Sequence, residues 1–430
     1  MERLGPRGRG GGDPLDGSAA FGNLAGAGPL GRSGLACRGS PVTARWGALV
    51  IGGDYRALGV VRSMGRQRIP TWVVRSPEDH RLSAMSRYCA RRMVWPEDGD
   101  EARTAFLRGL AEREGLQDWV VFPTADATAA FVARCHDALA ECYRLTTPRW
   151  EVFRRAYDKR LTAELAAAVG IPQPRTLPLP GRGDAERYDG PFPVVLKPST
   201  KPRLNKPAIK AWRADDAAEL VRRYDEAAAV TEPGTLLLQE LIPGDHGVHF
   251  SYAALCEEGQ QLVGLTAERV RQYPPDFGRA STFVRTVHNP TVEELGRTVF
   301  AELGLTGLGE VEFKRDPRDG SYRLLDINAR VWGWHTLGRS AGLDFAHLAW
   351  RLAVGRPVAP VRVPAGLRWL RLTTDLPAGL HELRSGRGPA VSYLRSVIGR
   401  HERPVLAWDD PLPAVAELPV QLVSKLPGRA

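Results

Sequence analysis

Two runs of alternating apolar and charged residues, GLGEVEFKRD at 307–316 and SYRLLDINARV at 321–331, flank the turn Pro317-Arg318-Asp319-Gly320. An Asp-Gly turn with glycine in the left-handed position joins two such runs as an antiparallel hairpin, and pairing outward from it sets Glu312 opposite Asp326. Side chains alternate along a strand. Glu310, Glu312 and Lys314 therefore share one face, as do Asp326, Asn328 and Arg330, while Val311, Phe313, Leu325 and Ile327 form an apolar face suited to a core. Carboxylates that face each other across a ladder repel and need a compensating cation. Mg²⁺ (or Mn²⁺) suits the set, because a hard ion is held by one or two carboxylates and an amide oxygen, with phosphates completing its shell. Glu312, Asp326 and Asn328 are the candidate metal ligands. The alternative is a solvated outer face on which the acids pair with Lys314 and Arg330.

Upstream, Lys197 sits inside the apolar run PFPVVLKP, where an ammonium needs an accompanying anion such as a phosphate. A snorkelling lysine on an edge strand is the alternative. Lys159, in AYDKRLTAEL, gains meaning only in company with it. The strand TLLLQELIPG ends in Gln239-Glu240, then Ile242 and a Pro-Gly break. Such a segment can offer backbone donors and acceptors to an adenine edge, with Asp245 or His246 near a ribose.

The texture of the chain divides it into four parts. Residues 1–46 are Gly/Arg/Pro-rich and read as a disordered tail, with an RNA-contacting role as the alternative. Residues 47–144 alternate strand and helix, as in GALVIGGDYRALGVVRSMGRQRIPTWVV, and read as a small parallel sheet. The Gly52-Gly53 turn lacks the G-x-G-x-x-G spacing, so no nicotinamide site is expected. Residues 145–357 carry hairpins, one through Glu257-Glu258-Gly259, and four helical stretches near 148–170, 215–229, 291–303 and 344–355, the third opened by a Thr291/Glu294 capping box and closed by Gly304. Residues 358–430 contain short strands such as LRWLRLTTD, with no chemistry that can be named.

The composition excludes several classes. Five cysteines without a C-x-x-C pair argue against a disulfide framework or zinc knuckle. No run reaches the roughly 18 apolar residues of a membrane span, and no signal-peptide core is present. A cytoplasmic protein without membrane association is expected. The net charge of +10 raises nucleic acid as a partner, but the arginines are scattered and no nucleic-acid motif accompanies them, so none is expected.

Taken in order, Lys159, Lys197, the strand around Gln239, Glu240 and Ile242, and the block VEF…LLDINAR resemble the ATP-grasp superfamily over roughly residues 47–355. The resemblance implies a mixed α/β and α+β chain: a Rossmann-like pre-ATP-grasp domain (47–144), then a two-lobed ATP-grasp domain with antiparallel sheets (145–357). It implies ATP and Mg²⁺ (or Mn²⁺) as cofactors. Lys159 and Lys197 would hold phosphates, Gln239, Glu240, Ile242 and His246 the nucleoside, and Glu312, Asp326 and Asn328 the metal. Arg330, with Lys197, would serve catalysis by steadying an acyl phosphate. The closest branch is that of carboxylate–amine ligases, similar to D-aspartate ligase and short carbamoyl-phosphate synthase large-chain relatives.

The branch implies small-molecule carboxylate and amine substrates and allows a homodimer. Arg269, Arg271, Arg285, Trp332, Trp334 and His335 are candidates for the substrate pocket, since arginine captures carboxylates and aromatics wall pockets. Packing is the alternative for the tryptophans. The stretch PSTKPRLNKPAIKAW lacks a glycine-rich flap, leaving Ser199, Thr200 and Lys206 to cover phosphates. Trp334 stands where biotin carboxylases carry a glutamate base, so bicarbonate-to-biotin chemistry is not expected. A small-molecule kinase and a nucleotide-binding regulator without turnover are the competing functions.

Overall fold

The computed structural model describes residues 46–96, 99–199, 211–232, 234–244, 247–274, 280–385 and 390–423. The tail expected up to residue 46 falls, but for Trp46, outside them. So do Thr200, Lys206, Asp245 and His246.

The first sheet is parallel: β1 (Ala48–Ile51), β2 (Thr71–Arg75), β3 (Arg91–Val94), β4 (Val120–Pro123) and β5 (Arg144–Leu145), ordered β3-β2-β1-β4-β5. All four residues of β1 are buried, as a strand covered on both faces requires. Asp54 caps the following helix Tyr55–Arg66, its carboxylate accepting from the amides of Arg56 and Ala57, and Leu58, Val61 and Met64 are buried as the periodicity predicts. Strand order reverses between β1 and β4. Loops leaving their C-terminal ends there form the crevice in which open α/β sheets bind ligands.

A four-stranded antiparallel sheet follows: β6 (Thr176–Pro178), β7 (Val194–Pro198), β8 (Trp212–Ala214) and β9 (Leu236–Glu240), ordered β6-β9-β7-β8. The large sheet holds β10 (His249–Glu257), β11 (Gln260–Tyr273), β12 (Ala280–Thr286), β13 (Gly307–Arg315), β14 (Tyr322–Asn328) and β15 (Arg368–Leu370). Its order is β14-β13-β10-β11-β12-β15. The β10–β11 connection is the expected tight hairpin. Glu258 and Gly259 both take positive φ, 48° and 80°, which matches the twist of the flanking strands.

The acidic hairpin pairs Glu310 with Asn328, Val311 with Ile327 and Glu312 with Asp326, and Gly320 takes the left-handed φ of 76°. One detail departs from simple alternation. A bulge after Glu312 pairs Phe313 with Leu324, so Leu324 rather than Leu325 enters the core. Two other expectations are corrected. The helix Pro290–Leu303 is capped by Asn289, whose side chain accepts from the Val292 amide at 3.2 Å with Pro290 in the first turn, so no Thr291 capping box opens it. The stretch after β15 is the helix Leu372–Arg384, not a strand. Asp375 is drawn under the sheet to pair with Arg271, and this tertiary contact overrides the local β-propensity of Thr373 and Thr374.

The largest apolar cluster joins parts that the texture of the sequence separates. Val50, Leu58 and Val61 of the first sheet and its helix share it with Leu265 and Val284 of the large sheet and with Trp369 and Val405 near the C-terminus. No helix among the described residues is long and apolar enough to cross a membrane.

Candidate active site

The polar face of the β13–β14 hairpin gathers the acids. Asn328 donates its amide to Glu310 at 3.2 Å and Glu312 at 3.3 Å, while its oxygen accepts from Arg330 at 3.0 Å. Lys159 opens the helix Lys159–Ala168 under its Asp158 cap, and its ammonium lies 3.5 Å from Asp326. Its backbone amide donates to the Ser199 carbonyl at 2.9 Å, which joins this helix start to the end of β7. Lys197 of β7 donates to Gln239 at 2.7 Å, a diagonal neighbour on the same face of the small sheet.

A cationic group sits beside the acids. His249 and Lys314 are register partners on β10 and β13. Burial, and then the charges of Arg269, Lys314 and Lys197, hold the His249 imidazole well below its usual pKa, so it stays neutral. Arg269 pairs with Glu312 at 2.6 Å. Positive and negative groups thus adjoin on one face of the large sheet, with Lys197 reaching in from the small one.

Among the described residues no three His, Cys, Asp or Glu side chains are grouped to hold a metal ion. Two carboxylates and one amide remain, and that number suits Mg²⁺ when substrate phosphates supply other ligands. The surroundings favour a cation: Glu310, 3% exposed, has one buried oxygen with no hydrogen-bond partner. Its pKa is pushed up to about 7, first by burial and then by the Glu312 charge, against the pull of Arg269. A carboxyl raised in the folded state binds more protons there than when unfolded, so its burden on stability is absent below the unfolded pKa. The burden grows as pH rises through about 7. Glu310→Gln is therefore expected to stabilise the metal-free protein at pH 8 by on the order of 2 kcal/mol, with the gap closing toward pH 5. Urea unfolding at both pH values measures it, and a gap of equal size at each would contradict the assignment.

The adenine candidates occupy the end of β9. Ile242 is buried, and the Glu240 amide donates to the Arg175 carbonyl at 2.8 Å. The Glu240 carboxylate is bridged to Arg318 of the hairpin turn at 2.5 Å, which ties the small sheet to the acidic hairpin.

The substrate candidates are not gathered here. Bulges in β11 between Arg269 and Gln272 break the alternation that would place Arg269 and Arg271 on one face. Arg269 meets the acids, whereas Arg271 is buried in a bidentate pair with Asp375, both bonds 2.9 Å, and stacks on Phe283 and Tyr393. Arg285 is half exposed and pairs with Glu268 at 2.7 Å. Trp332 packs on Trp334 and on Phe345 inside the core. His335 is buried beside them, Nδ1 lying 2.9 Å from the Trp332 carbonyl oxygen.

Two residues of the site, Asp126 and His249, had no counterpart in the sequence analysis. Asp126 begins the helix Asp126–Arg134 just after β4, at the crevice of the first sheet, and grips Arg330 with both oxygens, at 2.8 and 2.7 Å. An acid placed directly after a parallel strand is the signal that could have marked it. His249 carried no local signal, because its partners come from three other strands.

Residues 281–360, which include the hairpin, match the family model described as the carbamoyl-phosphate synthase L chain, ATP binding domain. D-aspartate ligase of Enterococcus faecium is 22% identical over 240 residues, covering 52% of this chain and 56% of that enzyme, so the chain spans about half of this relative's length. Among solved structures, the L-amino acid ligase of Bacillus licheniformis aligns with a TM-score of 0.58 at 16% identity, covering 73% of this chain and 75% of the other. The ADP complex of an N5-carboxyaminoimidazole ribonucleotide synthetase aligns with a TM-score of 0.59 at 13% identity, covering 80% and 87%. The three sheets in this arrangement are the fold of these solved structures, and the acidic hairpin lies within the segment that matches the ATP binding domain.

Proposed function

We propose that the chain is an ADP-forming ligase that activates a small-molecule carboxylate with Mg²⁺-ATP and joins it to an amine. The observation that carries the reading is the meeting, on one sheet face, of Glu312, Asp326, Asn328 and Arg330 with Lys159, beside Lys197, His249 and Lys314. A polyphosphate needs cations for its oxygens, and its metal needs a few hard anionic ligands. Both sets are present in adjacent positions.

Mg²⁺ held by Glu312, Asp326 and Asn328 would supply charge neutralisation on the phosphates. Lys159 and Lys197 orient the transferring phosphoryl group and spread its charge. A substrate carboxylate oxygen attacks the γ-phosphorus as the bond to ADP breaks, which leaves an acyl phosphate. An amine attacks its carbonyl carbon, Arg330 donates to the developing oxyanion, and phosphate departs as the amine loses a proton. The names of the related D-aspartate and L-amino acid ligases support amino acids as the substrate class. Buried Trp334 offers no base for bicarbonate-to-biotin chemistry. The cytoplasm, where Mg²⁺-ATP is abundant, is the expected compartment, and a homodimer is compatible with this role.

The test is a screen of amino acids and small carboxylates, each with an amine panel and Mg²⁺-ATP, read as ADP release with mass spectrometry of the product. One ADP and one phosphate per amide is the expected balance, and hydroxylamine in place of the amine should trap a hydroxamate. A stable phosphate ester would make the chain a kinase. ATP binding without any turnover would make it a regulator.

A further inference from the structure

We infer that Asp126 is a positioning residue that aims a single N–H of Arg330 at the reacting acyl group, an inference that rests on the ligase reading above. A guanidinium has five N–H donors. Nε and Nη2 of Arg330 donate to the two Asp126 oxygens at 2.8 and 2.7 Å. Nη2 donates again to Asn328 at 3.0 Å, and Nη1 donates to the Val331 carbonyl at 2.9 Å. Four donors are committed by these bonds, which leaves one N–H on Nη1. Arg330 therefore presents no free fork for bidentate capture of a carboxylate. It offers one charge-assisted donor in a fixed direction, as stabilisation of a developing oxyanion requires.

The clamp is built to last through turnover. The Arg330 side chain is 9% exposed, and Asp126 comes from the helix that follows β4 while Arg330 lies just beyond β14, 204 residues further along. Asp126, Arg330 and Asn328 form a continuous chain of hydrogen bonds that ends on Glu310 and Glu312. The crevice of the parallel sheet and the acid cluster are thereby held in one register. A neutral amide at position 126 can accept through only one atom, so the guanidinium would gain freedom to rotate and would also lose a compensating negative charge.

That pair of effects has a distinctive signature. Asp126→Asn is expected to lower kcat about 10- to 100-fold. The KM for the carboxylate should stay level or fall, because the uncompensated guanidinium attracts an anion more strongly, and the Mg²⁺-ATP dissociation constant should change less than about threefold. Asp126→Glu, with the charge retained, should recover part of kcat. In a double-variant cycle, adding Asp126→Asn to Arg330→Gln should cost nothing more, since the residue acts through the arginine. Additive losses, a kcat within threefold of the parent chain, or a fall in ATP affinity and melting temperature matching the fall in kcat would each overturn the inference. A parent chain that binds Mg²⁺-ATP yet never forms ADP would instead remove the ligase reading, and the inference with it, so the two failures are told apart by the parent chain alone.

Discussion

Asp326→Asn should reduce Mg²⁺-ATP-dependent turnover by about 10³-fold while leaving the metal-free fold as stable as before. The two halves of this result have separate causes. Asp326 and Glu312 are register partners, so their negative charges oppose one another across the ladder, and removing one relieves repulsion. Against that stands the loss of the Lys159 contact, which at 3.5 Å and with both side chains about one-quarter exposed contributes little. The net change in unfolding free energy should lie within about 1 kcal/mol of zero. In the presence of nucleotide the balance reverses. A ligand at about 100 times its dissociation constant stabilises the folded state by roughly 2.7 kcal/mol, and a variant missing a metal ligand forfeits much of that. The rise in melting temperature on adding Mg²⁺-ATP should therefore shrink in the variant, whereas the baseline without nucleotide should not move. Unaltered turnover would remove the hairpin from the active site, and the reading of Glu312, Asp326 and Asn328 as a metal set would fail with it.

What the sequence makes legible is what depends on neighbours close along the chain. The β13–β14 hairpin is short, its turn carries glycine where φ must be positive, and its pairing register follows from counting outward. Asp54 and Asp216 cap the helices they precede for equally local reasons. The substrate candidates lie apart where local counting fails. Arg269 and Arg271 have the spacing of one face, but the β11 bulges send them to opposite sides, and no pattern in VRQY announces a bulge. Trp332 and His335 follow directly after the hairpin, yet the chain turns into the core against the first sheet's helix; a Cβ placed at Gly59 would fall 2.6 Å from the His335 ring. The Asp126–Arg330 pair spans 204 residues and two sheets, so only the tertiary arrangement could disclose it.

The segment beyond residue 358, for which the sequence suggested no chemistry, has a mechanical task, and Arg62→Ala measures it. Arg62 lies on the helix that begins at the crevice of the first sheet, and it is 2% exposed. Its guanidinium donates to the Asp410 carboxylate at 2.9 Å and to the carbonyls of Pro404 at 2.9 Å, Val405 at 2.9 Å and Asp410 at 2.7 Å. Asp410 also accepts from the Ser86 hydroxyl at 2.7 Å and the Arg87 amide at 2.9 Å. Truncating the arginine leaves a buried carboxylate without its cation and three carbonyls without their donor. Breaking such a pair costs about 3–5 kcal/mol, most of it the penalty of the group left behind. Urea unfolding of Arg62→Ala should show a loss of that size. Arg62→Lys should lose nearly as much, because a compact ammonium cannot span four acceptors. Pairing Arg62→Met with Asp410→Asn should recover part of the loss, since no buried charge is then orphaned. A loss below about 1 kcal/mol for Arg62→Ala would mean that the C-terminal segment does not hold this helix. The consequence for chemistry is indirect. Asp54 opens the same helix, beside the crevice from which Asp126 grips Arg330, so a helix released at Arg62 would loosen the approach to the acyl group while leaving Lys159, Lys197 and the acidic hairpin where they are. Mg²⁺-ATP affinity in Arg62→Lys should consequently stay near that of the parent chain at temperatures where the variant remains folded, even as its stability falls.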